Sequence, residues 1–511
     1  MTLLSASSSV RRLIGVVVAA AAIGWGGTAA AAEKTLRVGA AVLPAGQGHV
    51  HNGSGVVTAP IIQAFFDSLT YVDAKGEIVP GLATSWEAKG GDTWVFKLRP
   101  NVRFQNGEPL TARTFADNVA FLVTEPGRTT AVMRLVLIPL VGANALDDLT
   151  LELKTREPTP LMPRLTMDFR PYEPKAWNDM GATAYARKPI GTGPFQVTDW
   201  AGEKVQAVAF KQGWRAPRVD RLEISALPEP SARTQALASD QIDIAFDLPV
   251  DDKDRVERAG GQFNVVPYPA VVAMALRTTV DGPLKDRRVR QALNHGINKD
   301  AYVQSLMRGL TVPGSHPAAR SVLGYQPDIK PYAYDPARAK ALLTEAGFGG
   351  GLKLKAEVVV TRSEYASLFQ IVSSSLAQVG IEMNIQPIAL AELTRKVLGQ
   401  APWGDTVVRS SPYVSYPGVE AMRGINAVHS CKSQSFWTCD QEIEPSIKLA
   451  NEEFDPAKRA GHVAQVMRRY HDQAWGIFLH EELQVDGVAR RVKNYRPVNV
   501  TINYHEIELA D

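Results

Sequence analysis

The stretch from Leu284 to Gly314, LKDRRVRQALNHGINKDAYVQSLMRGLTVPG, decides how the rest of the chain is read. Val289, Ala292 and Leu293 recur at helical spacing, and Arg287, Arg288 and Arg290 are expected on the other faces. Asn298 and Asp300 are suited to cap a second helix with Tyr302, Val303, Leu306 and Met307 as its apolar stripe. Gly309 supplies the stop, and Pro313 and Gly314 end the unit. On physical grounds alone this is a helical hairpin inside a globular domain.

Working outward, 511 residues exceed what one core serves, so two or more domains are expected. Apolar residues make up 45%, charged residues 21%, and the formal net charge is +3, an ordinary globular composition. Charge this balanced provides no phosphate-tracking surface, so nucleic acid is not an expected partner. The basic pairs Arg287-Arg288 and Arg490-Arg491 read as solvated faces.

Near the start, Arg11 and Arg12 precede an uncharged run from Leu13 to Ala32 that closes on Ala30-Ala31-Ala32 before Glu33. Its richness in Ala and Gly favours a cleavable signal peptide over residues 1–32 rather than an anchor. The general secretory route fits it better than the twin-arginine route. No cysteine lies near the cleavage site to take a lipid, so the expectation is a free periplasmic protein. Cys431 and Cys439 are the two cysteines. In an oxidising compartment they are expected to form a disulfide; a metal pair with His429 is the alternative, without a second Cys pair to support it.

Thr35-Leu-Arg-Val-Gly alternates like a first strand, and a Gly/His-rich loop from Pro44 to Gly55 leads to an expected helix from Thr58 to Leu69. Leu82 to Glu87 and Thr93 to Arg99 read as strands, and Thr111 caps a helix through Phe121. Pro189-Ile-Gly-Thr-Gly-Pro-Phe lacks the Lys-Ser/Thr and helix of a phosphate cradle and reads as a tight crossing. Strands at Val219, Gln241, Leu352 and Ile381 alternate with helices at Ser231, Asp335 and Tyr365, which implies an α/β lobe with a partly parallel sheet.

No nucleophile elbow, zincin, Walker or dinucleotide motif occurs, so neither an enzyme nor a cofactor is expected. Binding candidates lie in loops. His51, with His49, offers an imidazole for a ligand or metal, the solvated surface pair being the commoner case. Arg170 presents a donor fork for a carboxylate, or pairs with Asp168. Arg409 ends the apolar run Thr406-Val-Val and is placed for anion capture or for a rim salt bridge, with Tyr413 and Tyr416 as pocket walls.

Taken in order, Pro80-Gly-Leu-Ala-Thr-Ser-Trp-Glu, Thr93 to Thr111, Lys188 to Phe195, Leu284 to Ile297, Tyr334 to Phe348 and Asp455 to Trp475 resemble the solute-binding proteins of peptide/nickel-type ABC importers, the extracellular solute-binding family 5. The resemblance implies an α/β, two-lobed periplasmic-binding-protein fold of type II with an additional subdomain inserted in the first lobe. It places the first lobe at 33–75, 190–272 and 482–511, the inserted subdomain at 76–189 and the second lobe at 273–481. It further implies a monomer that closes on a short peptide or peptide-like ligand and delivers it to a membrane permease and its ATPase. A nickel or other metal chelate is the alternative ligand, and a secreted hydrolase the alternative of another class. Peptide-binding members carry an aspartate that holds the α-amino group; Arg409 to Gly418 lacks it, which implies an anionic, amine-masked or larger ligand. Arg170 and His429 fall where nickel-chelate members carry ligand contacts, while the expected aromatic is Ser411.

Overall fold

Alternation between Thr35 and Ala40 buries Leu36 and Val38, and this strand anchors the first of two half-sheets. The structure, a computed structural model, describes residues 33–52, 58–124, 137, 139–397, 399–432 and 437–510. The expected signal at 1–32 lies outside them.

The half-sheet around Thr35–Ala40 sets it parallel to Arg221–Ala226 and to Ile244–Ala245, with Lys204–Ala209 and Phe195–Ala201 added antiparallel at the edge. The second half-sheet has Leu352–Val358 at its centre, parallel to both Ile381–Pro387 and Val408–Ser410. Two long strands, Gln262–Leu276 and Gly476–Val488, pair antiparallel and run through both halves. Their register breaks between Pro267 and Val271 and again between Val272 and Ala273. Below the breaks they meet the first half-sheet at Ile244, and above them they meet the second at Val408. Two α/β lobes are thus joined by a pair of crossing strands, the two-lobed fold that the motifs imply.

A separate four-stranded antiparallel sheet, Ala83–Ala88, Thr93–Leu98, Thr150–Thr155 and Leu140–Asp147, is packed by helix Ala112–Val123. Among the described residues no helix is long and apolar enough to cross a membrane.

The Leu284–Gly314 stretch forms helices Arg287–His295 and Lys299–Ser305, with the Asp286 carboxylate accepting from Arg288 N and the Asn298 side chain from Ala301 N. Gly309 takes φ +70°, the left-handed stop. Arg290, expected on a face away from the apolar stripe, turns inward. It is buried, donates to the carbonyls of Leu284, Lys285 and Gln473, and lies 4.1 Å over the Trp475 ring. Its long stem and fork close the end of the unit that an apolar side chain would leave unsatisfied.

The expected helix from Thr58 to Leu69 shrinks to Ala59–Ile62. Beyond it, the carbonyls of Ala64 and Phe65 accept from Phe195 N and Gly193 N, bonds that a continued helix would have used internally. The crossing loop explains the exchange: a Cβ at Gly191 would lie 2.2 Å from the Phe65 carbonyl oxygen. Only glycine lets these backbones meet.

Candidate ligand-binding site

Along Val408–Ser410 the side chains alternate, so Val408 enters the core and Arg409 points to the opposite face. There Arg409 is 3% exposed and sits 5.4 Å from the Trp403 ring and 5.0 Å from the Trp437 ring. Two of its donors, Nε and Nη2, are buried without a hydrogen-bond partner, and among the described residues no carboxylate pairs with it. Burial pushes the guanidinium down to about 10, so it keeps its charge at neutral pH.

Its neighbours are donors as well. The Tyr413 hydroxyl and the Trp437 indole N–H are buried and unpartnered. Tyr413 stacks on His429 at 3.9 Å, and His429 Nε2 lies 3.2 Å from Ser411 Oγ. Tyr470 OH donates to the His429 carbonyl. Burial first, and then the Arg409 charge, push the His429 imidazole well below its usual value, which keeps it neutral. Cys431 and Cys439 are joined by a disulfide, with Cα atoms 4.5 Å apart. That closed loop carries Trp437, whose carbonyl accepts from Thr278 N at 2.8 Å.

Further along the same loop, Tyr416 reaches the segment that follows the four-stranded sheet. Its hydroxyl donates to Asp168 Oδ1 at 2.6 Å, Arg170 Nη1 donates to the same oxygen at 2.5 Å, and Arg170 Nη2 lies 3.3 Å from Tyr416 OH. Asp168 and Arg170 are fully buried. Burial alone would lower the Arg170 guanidinium; Asp168 and Tyr416 reverse this and carry it above its usual value. Within the group, Asp168 Oδ2 and Arg170 Nε have no partner. The Arg164 fork spans the same boundary, donating to the Gly418 carbonyl at 2.9 Å and to the Gly76 carbonyl. The loop from Arg409 to Gly418, continuous with the second half-sheet, is therefore gripped by Arg164, Asp168 and Arg170 from the segment after the four-stranded sheet.

Nearer the crossing strands, Arg362 Nη2 pairs with Asp247 Oδ1 at 2.7 Å and its Nε with Glu482 at 3.5 Å. Asp247 follows a strand of the first half-sheet and Arg362 precedes a helix of the second, so this pair also ties lobe to lobe.

Of the residues singled out in the sequence, the structure assembles Arg409, Tyr413 and His429 into one group and Arg170 and Tyr416 into a second. Asp168, raised above only as an alternative partner, completes the second group. His51 packs elsewhere, in an aromatic nest: its ring stacks on Phe121 at 5.2 Å and meets Tyr172 edge-on at 5.0 Å. The expectation of a solvated pair fails for it, because His51 is fully buried and burial pushes it to about 3. Trp403 and Trp437 were missed. Trp437 could have been found from its position between the two cysteines. Trp403 offers no comparable signal, because helix Leu390–Val397 and its Lys396 bring it into place. Among the described residues no group of three His, Cys, Asp or Glu side chains is placed to hold a metal ion.

Comparison with known proteins gives this geometry a family. Residues 77–410 match the family model for bacterial extracellular solute-binding proteins, family 5 Middle. The dipeptide-binding protein of Escherichia coli K12 is 26% identical over 464 residues, covering 82% of this chain and 84% of its own. The nickel-binding periplasmic protein of the same organism is 25% identical over 341 residues, 63% of this chain and 65% of its own. In fold, the chain resembles the periplasmic binding protein DppA from Helicobacter pylori in complex with the peptide STSA. The TM-score is 0.78 at 20% identity, over 93% of this chain and 98% of that one. The chain belongs to the bacterial extracellular solute-binding proteins of family 5.

Proposed function

We propose that this protein is the periplasmic solute-binding component of an ABC importer, closing its two lobes on a short peptide or peptide-like solute. The single observation that carries the reading is Arg409: a buried, charged guanidinium with open donors, walled by two tryptophans and Tyr413. Leaving such a group unpaired costs several kcal/mol, a cost that an anionic ligand group removes. Membership of the family supports the transport role. The peptide and nickel named for its relatives supply the two ligand classes to be weighed.

On this reading residues 1–32 are the export signal. The first lobe comprises 33–75, 190–272 and 482–511, the inserted subdomain 76–189 and the second lobe 273–481. The register breaks between Pro267 and Ala273 support a hinge in the crossing strands. The protein works as a monomer that captures and delivers, with no bond made or broken. The closed form is read by the membrane permease and powered by its ATPase.

Arg409, Tyr413, Tyr416 and Arg170 form the ligand contacts, with His429 setting the orientation of Tyr413 and His51 shaping the wall of the first lobe. The peptide reading ranks above the metal chelate because the His429 ring is already engaged by Tyr413 and Ser411.

Thermal unfolding and solution scattering with a panel of short peptides and of nickel chelates test the proposal. A bound peptide at one hundred times its Kd should stabilise by about 2.7 kcal/mol and compact the particle. Product formation, or stabilisation by nickel chelates alone, would contradict it.

A further inference from the structure

The aromatic nest around His51 holds polar atoms that the fold leaves unused. His51 is fully buried, yet neither of its ring nitrogens has a hydrogen-bond partner. His49 Nδ1 and Asn52 Oδ1, in the same turn, are buried and unpartnered as well. Backbone bonds hold that turn in place: His49 N donates to the Gly46 carbonyl, Asn52 N to the His49 carbonyl and Gly48 N to the Ala186 carbonyl. Phe121, Tyr172 and Trp177 enclose the rings, and among the described residues no carboxylate bonds either imidazole. So many dry polar atoms in one place are costly unless a guest meets them.

The ring geometry selects the guest. The His49 and His51 ring centres lie 6.1 Å apart, and the Trp177 ring centre lies 4.8 Å from the first and 6.1 Å from the second. An ion bonded at about 2 Å to one nitrogen of each ring, in a straight line, sets the ring centres about 6 Å apart, whereas a tetrahedral angle draws them to about 5 Å. The midpoint between the two imidazoles falls about 4.6 Å from the Trp177 ring centre, inside cation–π range.

We propose that His49 and His51 form a binding site for one cuprous ion, held in line between a nitrogen of each ring and covered by the Trp177 indole. Imidazole is a good ligand for copper, and two donors suffice for a linear monocation where zinc would need three or four. A single positive charge suits walls that supply no anion, while a divalent ion would sit there uncompensated. Burial keeps His51 neutral, so no proton competes for its lone pair at neutral pH. His49 is only partly buried and gives the ion its way in. Filled, the site ties the turn after the first strand to helix Pro174–Met180, which carries Trp177. It is separate from the Arg409 group and does not depend on the solute-binding reading.

Anaerobic titration of the exported chain with Cu(I), in competition with bicinchoninate and with ascorbate as reductant, tests this. The protein should take one equivalent and lose part of its tryptophan fluorescence. His51→Phe and, separately, His49→Ala should each weaken Cu(I) at least about a hundredfold. Trp177→Leu should remove the fluorescence response while costing no more than about tenfold in affinity. Zn(II) and Ni(II) should bind at least about tenfold more weakly than Cu(I). No uptake of Cu(I), uptake unchanged in both histidine variants, or Zn(II) binding as tight as Cu(I) overturns the inference. Where a variant fails to fold, X-ray absorption on the copper-loaded wild type decides: two nitrogen neighbours support the site, and a sulfur neighbour or a four-ligand shell overturns it.

Discussion

Arg170 and Arg409 lie in neighbouring groups on the two sides of the lobe boundary, both buried and both charged, and they differ in what faces them. Arg170 has its counter-ion within the fold, an aspartate two positions earlier in the chain, bridged by a tyrosine from the opposite lobe. Arg409 has two indole faces and a phenol but, among the described residues, no anion. A satisfied buried ion pair holds surfaces in register, whereas an unsatisfied buried cation is a cost the folded state bears for a binding partner. The Arg170 pair holds the boundary and offers a ligand only its leftover Nε and Oδ2, whereas the Arg409 group is open capacity for an anion.

Four measurements break or sharpen this contrast. Asp168→Asn, which strands Arg170, should lower unfolding stability by about 3–5 kcal/mol in chemical denaturation; a loss below about 1 kcal/mol would show that the pair is not holding the boundary. Arg409→Gln should do the opposite to the empty protein, leaving its stability unchanged or higher. It should weaken an acidic solute by about 2 kcal/mol or more in calorimetry. Unchanged affinity would put Arg409 on a rim salt bridge in solution.

The third measurement concerns groups buried without charge. His51 and His480 are pushed to about 3 by burial, against 6.5 in the unfolded chain. Below pH 6.5 the unfolded state takes up protons that the folded state refuses, so stability falls as pH drops from 6.5 toward 3. Each histidine should cost about 1–2 kcal/mol by pH 5. His51→Phe, which keeps the ring stacked on Phe121, should flatten the curve by its share. The smallest effect is on binding itself. Arg409 stays charged and His429 stays neutral between pH 6 and 8, so the affinity for a fully ionised acid should be flat across that range. A step there would mean that His429 titrates in contact with the ligand.

Much of the fold was legible because local signals and tertiary structure agreed. Asn298 caps where capping chemistry places it, and Gly191 and Gly193 sit where only a bare backbone passes Phe65. Two elements misled for the same physical reason, tertiary demand on the backbone or side chain. The helix after Thr58 ends early because the crossing loop claims its carbonyls, and Arg290 turns inward because three carbonyls lie within its reach. At the site, Arg409, Tyr413 and Tyr416 could be singled out as polar and aromatic residues clustered in one loop. Which arginine was paired could not be read, since Asp168 competes for Arg170 locally while the absence of any rival for Arg409 is a property of folded space. His51 looked like a loop residue and proved to be core, because Phe121, Tyr172 and Trp177 enclose it from distant parts of the chain.

Native mass spectrometry of the protein purified from the periplasm without denaturation tests the central claim most directly, because a closed binding protein retains what it caught. The account predicts one retained organic acid of peptide-like composition, lost from Arg409→Gln. A retained solute without an acid group would contradict the charge argument, and nickel with a small acid would contradict the ligand class.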